Sequence, residues 1–283
     1  MTRRVAVVTD STAYLPPDLA DRYGVAVVPL QVTLGGAAAA EGSVVTPGDV
    51  ARALADRRST ITTSRPSPAA FADAYTSAFG SGAEAVLSIH LSADLSGTCA
   101  AAELAAAEAS GKVEVFDSRS TAMGLGFAVL AAAEVAAAGG DLAAATAAAR
   151  STVERTTMLF YVDSLEYLRR GGRIGAAAAL LGTALSVKPI LHVRDGVVVV
   201  KEKVRTAGRA LARLEELAVE AAGGGGCDVA IHHLAAPERA AALRDRLTGR
   251  LPGIGQVVAS EVGAVVGAHT GPGMLGLVVV RRL

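Results

Sequence analysis

Tryptophan is absent from the 283 residues, and the aromatic residues together make up 4%. Proteins that stack nucleic-acid bases carry aromatic platforms, so that class has little to stand on here. Neither sign of charge is in excess: 27 Lys and Arg balance 27 Asp and Glu. The balance argues against a chain whose main work is an electrostatic hold on nucleic acid or an anionic membrane. Cysteine occurs twice, at Cys99 and Cys227, too far apart for a disulfide framework or a metal-ligand spacing. Both read as small buried apolar residues. No apolar run reaches the ~18 residues of a membrane helix. The first apolar run, Val5-Ala6-Val7-Val8, is too short for a signal-peptide core. The expectation is a cytoplasmic protein.

Several catalytic signatures are missing too. There is no Gly-x-x-x-x-Gly-Lys-Ser/Thr, no His-Glu-x-x-His, no paired Cys motif and no Gly-x-Ser-x-Gly. A nucleotide loop, a metal site and a hydrolase elbow therefore have no support. One formal Gly-x-Gly-x-x-Gly occurs, Gly271-Pro272-Gly273-Met274-Leu275-Gly276. It leads into the last strand pattern rather than opening a helix, so it is not read as a dinucleotide fingerprint.

What is present is a globular composition: 51% of residues are hydrophobic and 19% charged. β-Branched runs alternate with Ala-rich helical patterns up to about residue 155, which calls for parallel strands flanked by helices. The pattern then changes. Strands at 188–193 and 197–203 are joined by Asp195-Gly196, a hairpin signal, so the second half has a mixed sheet. The reading is an α/β chain of two lobes, 1–155 and 156–283. Residues 25–33 read as one strand and 176–187 as an apolar helix. Three strands end in Asp-Ser, at 10–11, 117–118 and 163–164, read as caps of the helices that follow.

The most informative stretch runs from Ala85 to Thr98. A buried strand, Ala85-Val86-Leu87-Ser88-Ile89-His90-Leu91, stops at Ser92, Ser96, Gly97 and Thr98, and an Ala-rich helix follows. Hydroxyls and helix N-terminal N–H groups in one place suit an anion, though ordinary capping uses the same residues. Thr62, Thr63 and Ser64 form a second hydroxyl-rich segment, and His269 lies near the end of the chain. Together they read as a pocket for a carboxylate or phosphate in a low-charge setting. Ser96 with His269 also permits a second reading, a stand-alone hydrolase or phosphotransferase, but no acid is evident to orient the His.

In chain order the motifs are Val7-Val8-Thr9-Asp10-Ser11-Thr12, Thr62-Thr63-Ser64-Arg65-Pro66-Ser67, Leu91-Ser92-Ala93-Asp94-Leu95-Ser96-Gly97-Thr98 and Phe116-Asp117-Ser118. They continue with Gly172-Arg173-Ile174, Lys188-Pro189-Ile190-Leu191, Glu202-Lys203-Val204-Arg205-Thr206 and His269-Thr270-Gly271-Pro272-Gly273. This order resembles the DegV family over residues 4–281. The resemblance implies a bacterial, cytoplasmic protein of two α/β lobes that binds one long-chain fatty acid between them. It implies no catalytic residue, cofactor or metal of the chain's own. An ATP-dependent fatty acid kinase would act as partner and form the acyl phosphate, with transient membrane contact and no nucleic acid. The resemblance assigns the carboxylate to a hydroxyl of Thr62 or Thr63, to Ser96 and to His269, with Ser64, Ser92 and Gly97 around them. Arg173 and Arg205 match arginines at the kinase-docking surface. Arg65 stands where the family often has Gln, which puts a charge near the pocket. Each buried CH₂ of an acyl chain is worth roughly 0.8 kcal/mol, so an apolar tunnel supplies most of the affinity. The Ala, Leu and Val excess over residues 121–187 is available to line it or to pack the core.

Overall fold

The computed structural model describes residues 4–56, 60–180, 188–251 and 253–282. In chain order the elements are β1 (Val5–Asp10), α1 (Pro17–Tyr23), β2 (Ala26–Val28), β3 (Gln31–Leu34), β4 (Ala37–Ala40), α2 (Pro47–Ala55), β5 (Ile61–Ser64) and α3 (Pro68–Gly80). There follow β6 (Ala85–His90), α4 (Thr98–Ala107), β7 (Lys112–Asp117), α5 (Ala122–Ala137), α6 (Leu142–Glu154), β8 (Thr156–Tyr161) and α7 (Glu166–Arg170). The chain ends with β9 (Lys188–Arg194), β10 (Val197–Val204), α8 (Ala207–Ala222), β11 (Cys227–His233), α9 (Pro237–Arg250), β12 (Ile254–Glu261), α10 (Ala264–Thr270) and β13 (Leu275–Arg281).

The fold is α/β in two compact units. One comprises Met1–Gln31 with Ser64–Glu154, the other Val32–Thr63 with Arg155–Leu283. The chain therefore passes between units three times, where the sequence pattern suggested a single boundary near 155.

In the first unit a parallel sheet runs in the order β2-β1-β6-β7. Its central strands alternate apolar residues to both faces, as a sheet covered on both sides requires. Val5, Val7, Leu87 and Ile89 pack with Leu125, Ala128 and Ala145 of α5 and α6. Val8 and Val86 pack on the other face with Phe71, Tyr75, Ala101 and Ala102 of α3 and α4. Nearly all of α5 is buried, and it is apolar all round, the pattern of an internal helix. Small residues allow the close approach: a Cβ at Gly126 would lie 2.7 Å from the Ala13 carbonyl. Much of the Ala excess of 121–154 is thus core packing.

The second unit holds a mixed six-stranded sheet, order β10-β9-β8-β13-β11-β12. Asp195-Gly196 makes the expected hairpin between β9 and β10. The β11/β12 pair is parallel, while β13 runs antiparallel to β11 and β8. Helices α8 and α9 cover one face through Leu214, Leu217, Leu243 and Leu247. A small third sheet, β4-β3-β5, lies in the excursion between the two stretches of the first unit.

Three local expectations change, and one segment read only as hydroxyl-rich gains a structure. Residues 25–33 are two strands in different sheets, because the chain breaks at Pro29-Leu30, where Leu30 N–H donates to Ser11 Oγ at 3.0 Å. The segment around Thr62 is a strand. The 175–180 part of the apolar tract is a 3₁₀ turn, and 181–187 lies outside the described residues. The Asp-Ser junctions are not one device. Asp10 Oδ1 accepts Thr12 N–H at a 3₁₀ turn, and Ser164 Oγ accepts Glu166 N–H at the start of α7. Asp117 and Ser118 instead accept the N–H groups of Arg119 and Ser120 in a turn, and α5 begins without a side-chain cap. A short side chain at a strand end takes whichever N–H the local backbone offers.

Candidate functional site

His269 sits in the last turn of α10, a helix that the glycine-flanked sequence concealed. The start of α10 is held by Glu41, whose Oε1 accepts Val265 N–H at 2.7 Å. Alongside packs α2, which opens with the Thr46–Asp49 capping box. Strand β5 brings Thr63 to the imidazole: Thr63 Oγ1 and His269 Nε2 are 2.8 Å apart. Along β5 exposure alternates. Ile61 and Thr63 are partly buried, Thr62 and Ser64 exposed, as a period of two dictates.

The two ring nitrogens of His269 have opposite surroundings. Nδ1 is buried and has no hydrogen-bond partner among the described residues. It faces Gly171, where an added Cβ would lie 1.9 Å from it. A proton on Nδ1 would be a donor with no acceptor, the costlier of the two ways to leave it unpaired. We therefore assign the neutral imidazole with its proton on Nε2, donating to Thr63 Oγ1. The Thr63 O–H is then free to donate in its turn. Burial, assisted by the positive charge of Arg173, pushes the His269 pKa down to about 4. The pair is neutral at physiological pH, a relay of two donors without a fixed charge.

Beside this pair lies a cavity of about 460 Å³, within the range of small-molecule sites. Leu54, Thr62, Tyr167, Arg170 and Arg173 contribute to its lining with Thr63 and His269. Arg170 is tied to Glu166 at 2.8 Å, and Arg169 binds the same carboxylate at 2.6 Å. These bonds hold the Glu166 carboxyl down at about 2. Arg173 Nη1 donates to the Gly171 carbonyl at 2.6 Å. Arg205 is exposed, just past the end of β10.

The other candidates belong to the first unit. Ser92 is fully buried and structural in its bonding: its N–H donates to Ser120 O, and its Oγ accepts Asp94 N–H. Ser96 is half-buried, and its Oγ meets Thr98 Oγ1 at 2.9 Å. Gly97 is the N-cap of α4 and makes no side-chain cap bond. The Arg65 guanidinium lies against it, so that a Cβ at position 97 would be 2.5 Å from Nη1. The charge noted at position 65 thus reaches the Ser96-Gly97 turn.

Sequence reading missed a polar chain inside the first unit. Tyr75 O–H donates to Ser88 Oγ at 2.8 Å, and Ser88 meets His90 Nε2 at 2.6 Å. His90 Nδ1 faces Asp10 Oδ2 at 3.1 Å. Asp10 Oδ2 also accepts Leu91 N–H at 3.0 Å, and Asp10 Oδ1 takes Thr12 Oγ1 at 2.6 Å. The residue types are those of a Ser-His-Asp triad. Every member is fully buried, so no substrate reaches Ser88. The signal was the clash of Asp10, Ser88 and His90 with otherwise apolar strands.

Cys99 and Cys227 are free and buried, and burial pushes the Cys99 thiol up to about 12. Among the described residues no helix is long and apolar enough to cross a membrane, and no cluster of His, Cys, Asp and Glu suits a metal ion.

Comparison with known proteins identifies the family. The family model described as "Uncharacterised protein, DegV family" matches residues 4–282. The DegV domain-containing protein SCO2569 of Streptomyces coelicolor is 55% identical over 282 residues, a coverage of 100% of each chain. Among solved structures, a DegV family protein from Thermus thermophilus, described for its fatty acid binding, superposes with a TM-score of 0.93. It shares 37% identity, covering 99% of this chain and 100% of that one. DegV of Bacillus subtilis, described as a fatty acid binding protein, gives 0.90 at 33% identity over 99% and 100%. The chain belongs to the DegV family.

Proposed function

We propose that this chain binds a long-chain fatty acid, buries the acyl chain and presents the carboxylate to a separate ATP-dependent kinase for acyl-phosphate formation. The observation that carries the reading is the neutral Thr63–His269 pair beside an open cavity. Two solved relatives above 30% identity, named for fatty acid binding, support it. A buried carboxylate is costly unless hydrogen-bonded, and a hydroxyl donor backed by a neutral imidazole meets that need. Affinity then comes from apolar burial, and the polar group sets orientation.

Thr63 is the hydroxyl of choice over Thr62, because its face of β5 carries the imidazole. Ser96, with Ser92, Gly97 and Ser64 around it, is the second donor that the resemblance assigns. The reading has no catalytic residue of its own. The phosphoryl donor and its metal belong to the partner, and this chain contributes position. Arg205 is the exposed cation for docking that partner, and Arg173 is its second assigned member.

The alternative, Ser96 as a nucleophile with His269 as base, has weaker support. Ser96 pairs with Thr98 and His269 with Thr63, and no carboxylate hydrogen-bonds the imidazole among the described residues. Native mass spectrometry of the purified protein, followed by denaturing extraction, tests the proposal. A stoichiometric fatty acid is expected, with weaker retention in Thr63→Val and Ser96→Ala. A protein that stays empty after incubation with fatty acids of several chain lengths, yet turns over an ester or phosphoryl substrate unaided, would replace it with the enzyme reading.

A further inference from the structure

The turn after α7 is wound tightly against the imidazole. Gly171 N–H donates to Tyr167 O, Gly172 N–H to Arg169 O and Arg173 N–H to Leu168 O, each at 3.0 Å. Gly172 takes φ +70, the left-handed conformation that lets the chain reverse. The Arg173 side chain then folds back on its own turn, and Nη1 donates to the Gly171 carbonyl at 2.6 Å. Gly171 itself is helical, with φ −75, so its backbone does not need a glycine. What needs one is the neighbour: a Cβ would lie 1.9 Å from His269 Nδ1 and 2.6 Å from Cε1. Bare backbone, clamped by Arg173, forms the wall on which the Nδ1 edge rests.

We infer that Arg173 is a positioning residue for His269: by clamping the Gly171 carbonyl it holds a side-chain-free wall against Nδ1 and leaves Nε2 to Thr63. The inference rests on the Thr63–His269 pair being the head-group site, and gives Arg173 a task inside the pocket besides docking. The charge of the guanidinium works in the same direction, since it disfavours an imidazolium beside it. The other groups around the ring do not supply that effect. From α7 and the turn come Tyr167 and Arg170, the latter paired to Glu166. From β5 come the neutral Thr62 and Thr63 hydroxyls, and from α2 the apolar Leu54.

Two variants separate this from a docking role. Gly171→Ala keeps the guanidinium and adds one methyl group against the ring. Arg173→Ala removes the clamp, and Arg173→Lys, with charge and a donor retained, is the conservative control should the alanine variant fold poorly. Histidine ¹⁵N spectra, with His269 assigned by His269→Gln, report tautomer and titration directly. Retention of a fatty acid of defined chain length reports the site. The wild type should show the Nε2–H tautomer and a titration midpoint well below the ordinary histidine value. In Arg173→Ala the midpoint should rise, and fatty acid should dissociate more readily, by less than in Thr63→Val, because Arg173 acts through the ring and not on the ligand. Arg173→Lys should recover part of both. Gly171→Ala should weaken retention too, and should add nothing in a His269→Ala background, where the obstructed ring is gone.

An unchanged His269 spectrum in Arg173→Ala, no recovery toward the wild type in Arg173→Lys, or losses from Gly171→Ala that add fully to those of His269→Ala, would overturn the assignment. A wild type that holds no fatty acid but shows the spectral shifts would refute the lipid reading and leave the positioning role standing.

Discussion

Two of the histidine–hydroxyl pairs among the described residues, those of His90 and His269, differ in what is left over. In the first unit His90 has Ser88 on one nitrogen and Asp10 on the other, Tyr75 extends the chain, and the whole is sealed from solvent. In the second unit His269 has Thr63 on one nitrogen and bare Gly171 on the other, beside a cavity. The first set spends every donor and acceptor on itself. It holds Leu91 N–H, and with it the strand end that runs into Ser92 and Ser96. The second leaves a hydroxyl proton unspent. On the proposed reading, side chains of the same chemistry make a framework in one place and a recognition site in the other. The difference lies in satisfaction and access rather than in residue type.

The comparison is broken most severely at Asp10. Asp10→Ala removes the acceptor of Thr12 N–H, Thr12 O–H, Leu91 N–H and His90. Buried donors left without partners cost about 1–3 kcal/mol each, so a loss above about 3 kcal/mol is expected. The urea midpoint at constant m reads it. A loss below about 1 kcal/mol would mean that the sealed network is not a framework. Thr63→Val is the counterpart in the second unit. There only one donor, His269 Nε2–H, loses its acceptor, so a loss of about 1 kcal/mol is expected, while fatty acid retention falls roughly tenfold, the cost of one hydrogen bond to a charged group. Thr63→Ser should restore it, because it is the hydroxyl that donates.

Acidification is a milder probe of the same contrast. Burial places both His269 and His232 at about 4, against an ordinary value of 6.5. Between those values the unfolded chain binds protons that the folded one refuses, so stability rises with pH across that window. Their contribution is complete above about pH 6.5 and lost as pH falls toward 4. His269→Gln should flatten part of the slope in urea midpoints taken across the window. An unchanged slope would mean that the ring is not held neutral.

The layers of the fold were legible because burial imposes period and composition. β-Branched runs give the parallel strands, and Asp195-Gly196 gives the hairpin. What could not be read is the excursion of residues 32–63 into the other unit. Its strands are four residues long, too short to carry a period, and their partners are distant in sequence. Helix α10 was hidden for a related reason: it is seven residues between glycines, and its start is held by Glu41 rather than by a local cap. The site was legible as a set of residue types. Thr63 and His269 were both candidates, but nothing in the spacing says that they touch, and Gly171 gives no signal apart from the ring it faces. Asp10 read as a helix cap, and two of its partners, His90 and Leu91, lie some 80 positions away and gave no local signal.

The choice between Thr62 and Thr63 is the finest use of the comparison, and it carries the smallest expected effect. Both threonines line the same cavity, so proximity does not separate them. Strand geometry does: successive side chains leave β5 on opposite faces, and Thr62 is exposed while Thr63 meets the imidazole. An exposed hydroxyl exchanges its bond to water for one to a ligand at little net gain, whereas a donor oriented by Nε2–H is already aimed and partly desolvated. Thr62→Val should therefore change fatty acid retention by less than about twofold, against the roughly tenfold loss expected at Thr63. The swap is nearly isosteric, β-branched and compatible with a strand, so the fold should tolerate it. Measured side by side, equal losses at the two positions would show that both faces of β5 reach the head group. A larger loss at Thr62 would mean that the imidazole belongs to a framework like that of His90, and that the recognition site lies on the opposite face of the strand.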